Sequence, residues 1–112
     1  MSEKVHLHER LLTGATTDET KSSVLGPAMV GQCRQLTFYI DWGSTVTAGK
    51  VDIETAPAED YAGAWAQIGT KTYSAGAPLA QYIQALGPFA FVRARVDTAT
   101  DGNGVSVSVI GN

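Results

Sequence analysis

The sequence predicts an all-β domain, an antiparallel β-sandwich of about seven or eight short strands in an Ig-like or jelly-roll-like arrangement. Several runs alternate apolar and polar residues, which is the period of a strand with one buried face. Turn residues separate these runs at intervals of roughly ten residues. Between the runs the chain has no amphipathic stretch long enough for the crossover helices of a parallel α/β fold, so little helix is expected.

Length and composition restrict the possible functions. The 112 residues suit one small domain, and only 17% of them are charged, so small polar residues must cover much of the surface, as in subunits packed into assemblies. A net charge of −3 argues against nucleic-acid binding. No apolar run approaches the roughly 18 residues of a membrane span, and the start lacks the apolar region of a signal peptide. We therefore expect synthesis in the cytoplasm and neither a nucleic-acid nor a membrane partner.

The first part of the chain is predicted to be a partly extended arm, residues 1–23, preceding a single β-sandwich domain, residues 24–112. Val5 and Leu7 alternate with polar neighbours in the manner of a strand. The small polar residues that follow, "TGATTDETKSS", indicate a loop. Such residues bury too little apolar area to offset the entropy of ordering, so residues 13–23 are expected to become ordered only on assembly.

The clearest strand lies in "CRQLTFYIDW", where one face is apolar throughout. The residues of that face, which are expected in the core, are Leu36, Phe38, Ile40 and Trp42. The preceding "SVLGPAMV" is interrupted by Gly and Pro and is typical of an edge strand or a turn-bounded segment. The following "TVTAGKVDIETA" predicts another strand, in which Gly49 marks a bulge or kink.

The second half contains four further predicted elements. A turn-rich excursion, "PAEDYAGAW", is followed by a strand in "AWAQIGTKTYS" and by a weaker strand or short helix in "APLAQYIQALGP". The last two runs, "FAFVRARVD" and "GVSVSVIG", are predicted to form a closing hairpin. Gly102 and Gly104 supply the backbone freedom for its turn. The valines of both strands then face the core, and the arginines lie over serines.

Phe91, Arg93 and Arg95 share the outer side of the first of these two strands, and two interpretations are open. The arginines can lie in solvent, with their stems shielding the sheet. Alternatively the row is covered by another subunit, because aromatic residues and arginine are enriched at interface centres. The acidic residues expected to meet it from a neighbouring subunit are Glu54, Glu59 and Asp60.

No residue pattern indicates catalysis. Cys33 is the only cysteine, which excludes an intramolecular disulfide and a cysteine-based zinc site, and it is expected to be a small buried residue at a strand start. It lies far along the chain from His6 and His8, and no nucleophile motif is present. The two histidines share a strand face, but two ligands alone do not make a metal site.

Acidic loops provide the remaining candidates for a metal site. Asp97, Asp101 and Asn103 could offer oxygen ligands to calcium, but their spacing departs from the known calcium loop, which favours plain turn chemistry. Glu59 and Asp60 are adjacent in a loop, whereas a catalytic carboxylate pair is separated across a cleft. We therefore expect no enzymatic activity, no catalytic or metal site and no cofactor.

The two tryptophans have different expected roles. Trp42 continues the apolar face of its strand and is predicted to lie in the core. Trp65 follows a loop, and together with Tyr61 it could form a surface platform on which a sugar ring stacks.

The run from Val51 to the end resembles small β-sandwich virion proteins of tailed bacteriophages and prophages. The shared pattern is a "V-x-[IV]-E" strand, here "VDIE", then a tryptophan after a short loop, a "[FY]-V-R-A-R-V" strand and a terminal Gly/Asn turn with its last strand. The pattern covers about half of the chain and also occurs loosely in discoidin-like and carbohydrate-binding sandwiches. It defines no functional residues, so none is transferred.

The resemblance implies a virion structural protein, either a capsid decoration or cement subunit or an accessory subunit of the neck or tail. Its expected location is the virion, and its expected partners are the major capsid protein, other virion subunits and further copies of itself. The alternative is a carbohydrate- or receptor-binding β-sandwich module of a tail-associated adhesin, for which Trp65 and Tyr61 would be the contact residues.

Overall fold

A computed structural model describes residues 7–112 and shows a β-sandwich with a single turn of helix, which confirms the predicted fold class. The elements are β1 (Leu7–Ala15), α1 (Pro27–Val30), β2 (Gln35–Asp41), β3 (Ala48–Ala56), β4 (Ala66–Ser74), β5 (Ala80–Leu86), β6 (Phe91–Thr98) and β7 (Val105–Gly111). Within the described part of the chain, no helix has the length and apolar character needed to cross a membrane.

The strands form two antiparallel sheets. The four-stranded sheet has the order β1-β7-β2-β5, and the three-stranded sheet has the order β4-β3-β6. Residues 19–25, which we call the edge segment, run antiparallel along the free side of β6. The Glu19 N–H donates to the Val96 carbonyl at 2.7 Å, and Leu25 and Val92 exchange hydrogen bonds of 2.8 and 3.0 Å. The edge segment is thus an irregular fourth strand of the second sheet.

The pairing is that of a jelly roll. Counted in chain order with the edge segment as the second of eight strands, the pairs are nested: first with last, second with seventh, third with sixth and fourth with fifth. This is the pattern of one long antiparallel hairpin rolled into two facing sheets, which is the jelly-roll arrangement. Of the two predicted arrangements, the strand order therefore selects the jelly-roll-like one.

The predicted closing hairpin of β6 and β7 is wrong. β6 pairs with β3 in one sheet, while β7 lies between β1 and β2 in the other, and residues 99–104 cross from sheet to sheet. The serines of β7 therefore do not lie beneath the arginines of β6. Alternation shows which side of a strand is buried, but it does not show which strand lies alongside. The glycines in the connection adopt positive φ, as predicted, at 58° for Gly102 and 79° for Gly104.

The arm was predicted over residues 1–23, and the structure differs from it in the described part, residues 7–23. β1 pairs with β7 from Leu7, opposite Gly111, to Ala15, opposite Val105, and so belongs to the sandwich. The edge segment continues this integration through backbone hydrogen bonds to β6, which need no apolar side chains. Composition had indicated a loop because it registers apolar burial and not backbone pairing. Val5 and the other residues of the first six lie outside the described part.

The predicted core rows are confirmed. The residues of β2, β6 and β7 that were expected in the core are all buried, with at most 1% exposure, and are Leu36, Phe38, Ile40, Val92, Ala94, Val96, Val105, Val107 and Val109. Trp42 is also buried, with its ring centroid 5.5 Å from that of Tyr73, and its indole N–H donates to Gln81 at 3.0 Å. Cys33 is buried at 1% exposure just before β2, as expected.

Gly49 is explained by close packing as well as by the irregularity of its strand. The register of β3 shifts after Lys50 on the β6 side and after Ile53 on the β4 side. At Gly49 itself, a Cβ atom would lie 3.1 Å from the Trp42 ring and would clash with the Thr100 methyl group. The absent side chain therefore makes room for the buried indole.

Replacing Phe38 by Ala should destabilise the domain by about 3–5 kcal/mol, since the ring is fully buried and its removal leaves a cavity. The neighbouring change Tyr39→Ala is the matched control, because Tyr39 lies on the outer face of the same strand and is 48% exposed. Urea unfolding of both variants measures the difference. Equal losses of unfolding free energy would contradict the assigned facing of β2.

Candidate functional site

Arg93 and Arg95 lie on the outer face of the three-stranded sheet, where a single carboxylate bridges them. The register of β3 and β6 places Glu54 opposite Arg93 and Asp52 opposite Arg95. Arg93 Nε donates to Glu54 Oε1 at 3.0 Å, and Arg95 Nε donates to Glu54 Oε2 at 3.1 Å. The Glu54 side chain is only 8% exposed, so both ion pairs are largely shielded from water.

Arg95 also binds two other carboxylates. Its Nη2 donates to Asp52 Oδ2 at 2.8 Å, and its Nη1 donates to Glu19 Oε1 at 2.8 Å. Glu19 comes from the edge segment, so one guanidinium ties that segment to β3. Hydrogen bonds between charged groups are stronger than neutral ones, and a guanidinium can direct several at once. Arg95 therefore anchors the outer layer of this sheet.

Of the three carboxylates that we expected from a neighbouring subunit, one meets the arginines, and it does so within the chain. Glu54 pairs with both arginines, whereas Glu59 and Asp60 lie exposed in the loop after β3. Phe91 is half-buried, and its ring lies beside Gly26. The sequence placed this row correctly on an outer face, but the row is neither freely solvated nor short of partners. Little of its charge is left for another molecule.

Trp65 is held by the same cluster. The Arg93 guanidinium carbon lies 3.9 Å from the Trp65 ring centroid, and the indole N–H donates to the Tyr61 carbonyl at 3.0 Å. Cations over an aromatic face are attracted by the ring quadrupole. One face of the Trp65 ring is thereby covered, so the predicted sugar platform of Trp65 and Tyr61 keeps at most the other face.

Asp52 and Asp97 have opposite pKa shifts. Burial raises the pKa of Asp52, whose side chain is 2% exposed, and Oδ1 of that carboxyl has no hydrogen-bond partner among residues 7–112. Interaction with the Asp52 side chain lowers the pKa of the more exposed Asp97. The buried carboxyl therefore holds its proton to higher pH than its neighbour does.

The other sequence candidates are separate in space or engaged in turns. His8 is exposed on β1, and His6 lies outside the described residues. The Asp101 carboxylate accepts hydrogen bonds from the N–H and the hydroxyl of Thr47, which is turn chemistry. In residues 7–112, no group of three His, Cys, Asp or Glu side chains is placed to hold a metal ion.

An exposed aromatic surface lies on the opposite sheet. Tyr39 of β2 pairs directly with Tyr82 of β5, and their side chains are 48% and 59% exposed. Leu86, further along β5 on the same side, is 82% exposed. We call these three residues the tyrosine face. A shallow groove of about 270 Å³ adjoins Tyr39, and its polar lining includes Arg10, Asp41, Gln81, Ser106 and Ser108.

The tyrosine face was not predicted from the sequence, because the type of element at β5 was left open. The alternation in "CRQLTFYIDW" predicts Tyr39 on the face opposite the apolar one, but "APLAQYIQALGP" predicts either a strand or a short helix, which does not place Tyr82 and Leu86. Strand alternation in "AQYIQAL" puts both on one side, opposite Ile83, and that signal was available. The pairing of β5 with β2 was not, because sequence periodicity does not identify neighbours.

Comparison of the chain with protein-family models, with curated proteins and with solved structures gave no match.

Arg95→Ala should destabilise the isolated domain by about 3 kcal/mol, because it removes the cation paired with the buried Asp52 carboxylate and leaves Glu54 with Arg93 alone. Arg10→Ala is the control: this side chain is exposed on β1, and the change should stay within about 0.5 kcal/mol. Thermal and urea unfolding measure both. An Arg95 variant as stable as the control would show that the cluster is effectively solvated.

Asp52→Asn should gain stability relative to the wild type as the pH rises from about 4 to 7, because a raised folded-state pKa stabilises the wild type only at low pH. That contribution is complete below the unfolded pKa and is lost as the pH rises through the folded one. Asp97→Asn should show the opposite trend, because its lowered pKa contributes stability above the unfolded pKa. Urea unfolding across this range tests both, and pH-independent differences would contradict the assignment.

Proposed function

We propose that this chain is a structural protein of a bacteriophage virion, a capsid decoration or cement subunit or a head, neck or tail accessory subunit, with no enzymatic activity. In this role it binds other virion proteins and stabilises the particle. The observation that carries the proposal is the tyrosine face, on which three large side chains lie exposed on one side of a rigid sheet.

The composition of this face suits a protein partner. Tyrosine is enriched at the centres of protein interfaces, where its ring gives a large contact area and its hydroxyl a hydrogen bond. The residues between the three are uncharged Thr37 and Gln84, while Arg10 and Asp41 lie towards the margin. An uncharged centre with a charged rim is the usual anatomy of an interface.

The distribution of charge supports the same role. Arg93 and Arg95 of the three-stranded sheet are paired within the chain, and the tyrosine face has no cation at its centre. With 17% charged residues, the chain lacks the basic stripe that a nucleic-acid partner requires. The sequence resemblance to virion proteins and the jelly roll, an architecture used in viral capsid and lectin domains, point the same way by analogy.

The groove beside Tyr39 favours a second candidate, the binding of a carbohydrate receptor. A tyrosine ring with an arginine, a carboxylate and two serines nearby offers both stacking and hydrogen bonds to a sugar. The site differs from the Trp65 platform that the sequence had indicated. A glycan array with the purified domain separates this candidate from protein binding.

The double change Tyr39→Ala and Tyr82→Ala should weaken binding to capsid shells by at least about thirtyfold, the loss expected for an interface hot spot. Binding is measured by co-sedimentation with shells assembled from the major capsid protein of the virion to which the proposal assigns this chain. Glu59→Ala, in an exposed loop, is the matched control and should bind as the wild type does.

Circular dichroism establishes that the double variant remains folded. Equal shell binding by the folded double variant and the wild type would overturn the assignment of the tyrosine face. Absence of shell binding by the wild type, together with specific glycan binding, would transfer the function to the carbohydrate candidate.

A further inference from the structure

β5 is an edge strand that lacks the usual protection against further pairing. Within the described residues it pairs with β2 alone and lies at the end of the four-stranded sheet. Its sequence, "AQYIQAL", contains no charged residue, proline or glycine, and its register with β2 is unbroken over all seven residues. Proteins normally protect such edges with charges, bulges, prolines or a covering segment.

The other three edges each have such a device. β1 carries Glu9 and Arg10, and its register with β7 shifts twice. β4 carries Lys71 and has a register shift against β3. β6 is covered by the edge segment. The contrast singles out β5 as the edge that is built to accept another strand.

We propose that β5 pairs antiparallel with β5 of a second copy of this chain, joining two four-stranded sheets into one continuous sheet. The proposal rests on the assembly role above for its biological purpose, but it concerns a different set of atoms. The tyrosine face binds through side chains, whereas this contact is made by backbone groups at the edge.

The backbone geometry identifies the groups that are free to pair. The Trp42 N–H donates to the Leu79 carbonyl at 2.9 Å, and the Gly87 N–H donates to the Arg34 carbonyl at 2.8 Å. Hydrogen-bonded pairs alternate along an antiparallel ladder, so these two bonds fix the phase between β2 and β5. The backbone N–H and C=O groups of Ile83, and of the residues two positions before and after it, bond to β2. The residues whose N–H and C=O groups point away from the sheet are Ala80, Tyr82, Gln84 and Leu86.

One register of the two copies satisfies all of these groups. A twofold axis midway between the two copies of Ile83 places Tyr82 opposite Gln84 of the second copy and Ala80 opposite Leu86 of the second copy. Every outward-pointing residue then lies in a hydrogen-bonded pair, and small Ala80 accommodates large Leu86. No like charges meet, because β5 has none. Ile83, which is 9% exposed, meets its own counterpart on the core side.

A second copy of the chain suits the β5 edge better than an unrelated strand does, because it also joins the two tyrosine faces. The Tyr82 side chains of the two copies become diagonal neighbours on the same side of the joined sheet, about 7–8 Å apart and within reach of each other. Four tyrosines then form one surface across the twofold axis. Two linked faces bind a shell more tightly than one, because the second contact becomes intramolecular.

Sedimentation equilibrium of the purified chain over a concentration series tests the proposal. We expect a reversible dimer in the wild type. Gln84→Pro removes an N–H that points away from β2, so the sheet can tolerate it, but it deletes two symmetry-related hydrogen bonds and should raise the dimer Kd at least about tenfold. Gln84→Ala keeps the N–H and should dimerise as the wild type does.

Amide hydrogen exchange provides a readout that a merely structural effect would not produce. At dilution the Ile83 amide should be protected, whereas the Tyr82 and Gln84 amides should exchange fast; at high concentration all three should be protected. If Gln84→Pro does not fold, Gln84→Lys replaces it, since it keeps the backbone and brings like charges together across the axis.

A wild type of single-chain mass at every concentration would overturn the pairing, as would a Gln84→Pro variant that folds and dimerises normally. Pairing of β5 with a strand of the shell protein would likewise overturn the self-pairing. These outcomes are independent of the shell-binding test, because Tyr39→Ala with Tyr82→Ala leaves the backbone edge intact.

Discussion

The fold depends on the insertion of β7 between β1 and β2. Without that strand, β1 has no neighbour and β2 is paired on one side only, so the four-stranded sheet does not exist. Val105, Val107 and Val109 of this strand are fully buried in the hydrophobic core, so β7 contributes both to strand pairing and to the packing of the core. Because the pairs are nested, each inner pair lies within the chain segment whose two ends are brought together by the next outer pair. The open edges of the sandwich, among them β5, follow from this order.

What the sequence predicts well is local. The alternation around Phe38 and in β6 and β7 assigned the core residues correctly, because a side chain's direction in a strand depends only on its position along that strand. The partner of each strand was not predictable in this way, so β6 and β7 were wrongly joined into a hairpin. The edge segment was missed because it is held by backbone hydrogen bonds and the Glu19–Arg95 ion pair, neither of which alters the apolar pattern. Only part of the tyrosine face was predictable: alternation in β2 puts Tyr39 on an outer face, whereas the type of element containing Tyr82 was left open.

The two outer faces of the sandwich differ in how far their large polar and aromatic side chains are engaged within the chain. On the three-stranded sheet, Arg93 and Arg95 pair with carboxylates of the same chain, and Arg93 covers one face of Trp65, so these charges and that ring face are engaged within the chain. On the four-stranded sheet, neutral tyrosines are left exposed. Aromatic rings cost little to desolvate compared with ionised groups, so an exposed tyrosine surface can be covered and uncovered more easily than an arginine surface. The surface rich in charge is therefore the structural one, and the neutral surface is the one suited to recognition.

The nested strand order also determines when the strands can pair during synthesis of the chain. A ribosome delivers β1 first and β7 last among the described strands, yet the two are neighbours in the finished sheet. Many domains begin to fold as their first half emerges, but here the centre of one sheet is missing until the last strand has been made. Contacts between residues so distant along the chain also form slowly. The four-stranded sheet can therefore form only after the last of its strands has been made, and until then β2 and β5, which carry the tyrosine face, lack the support of β7.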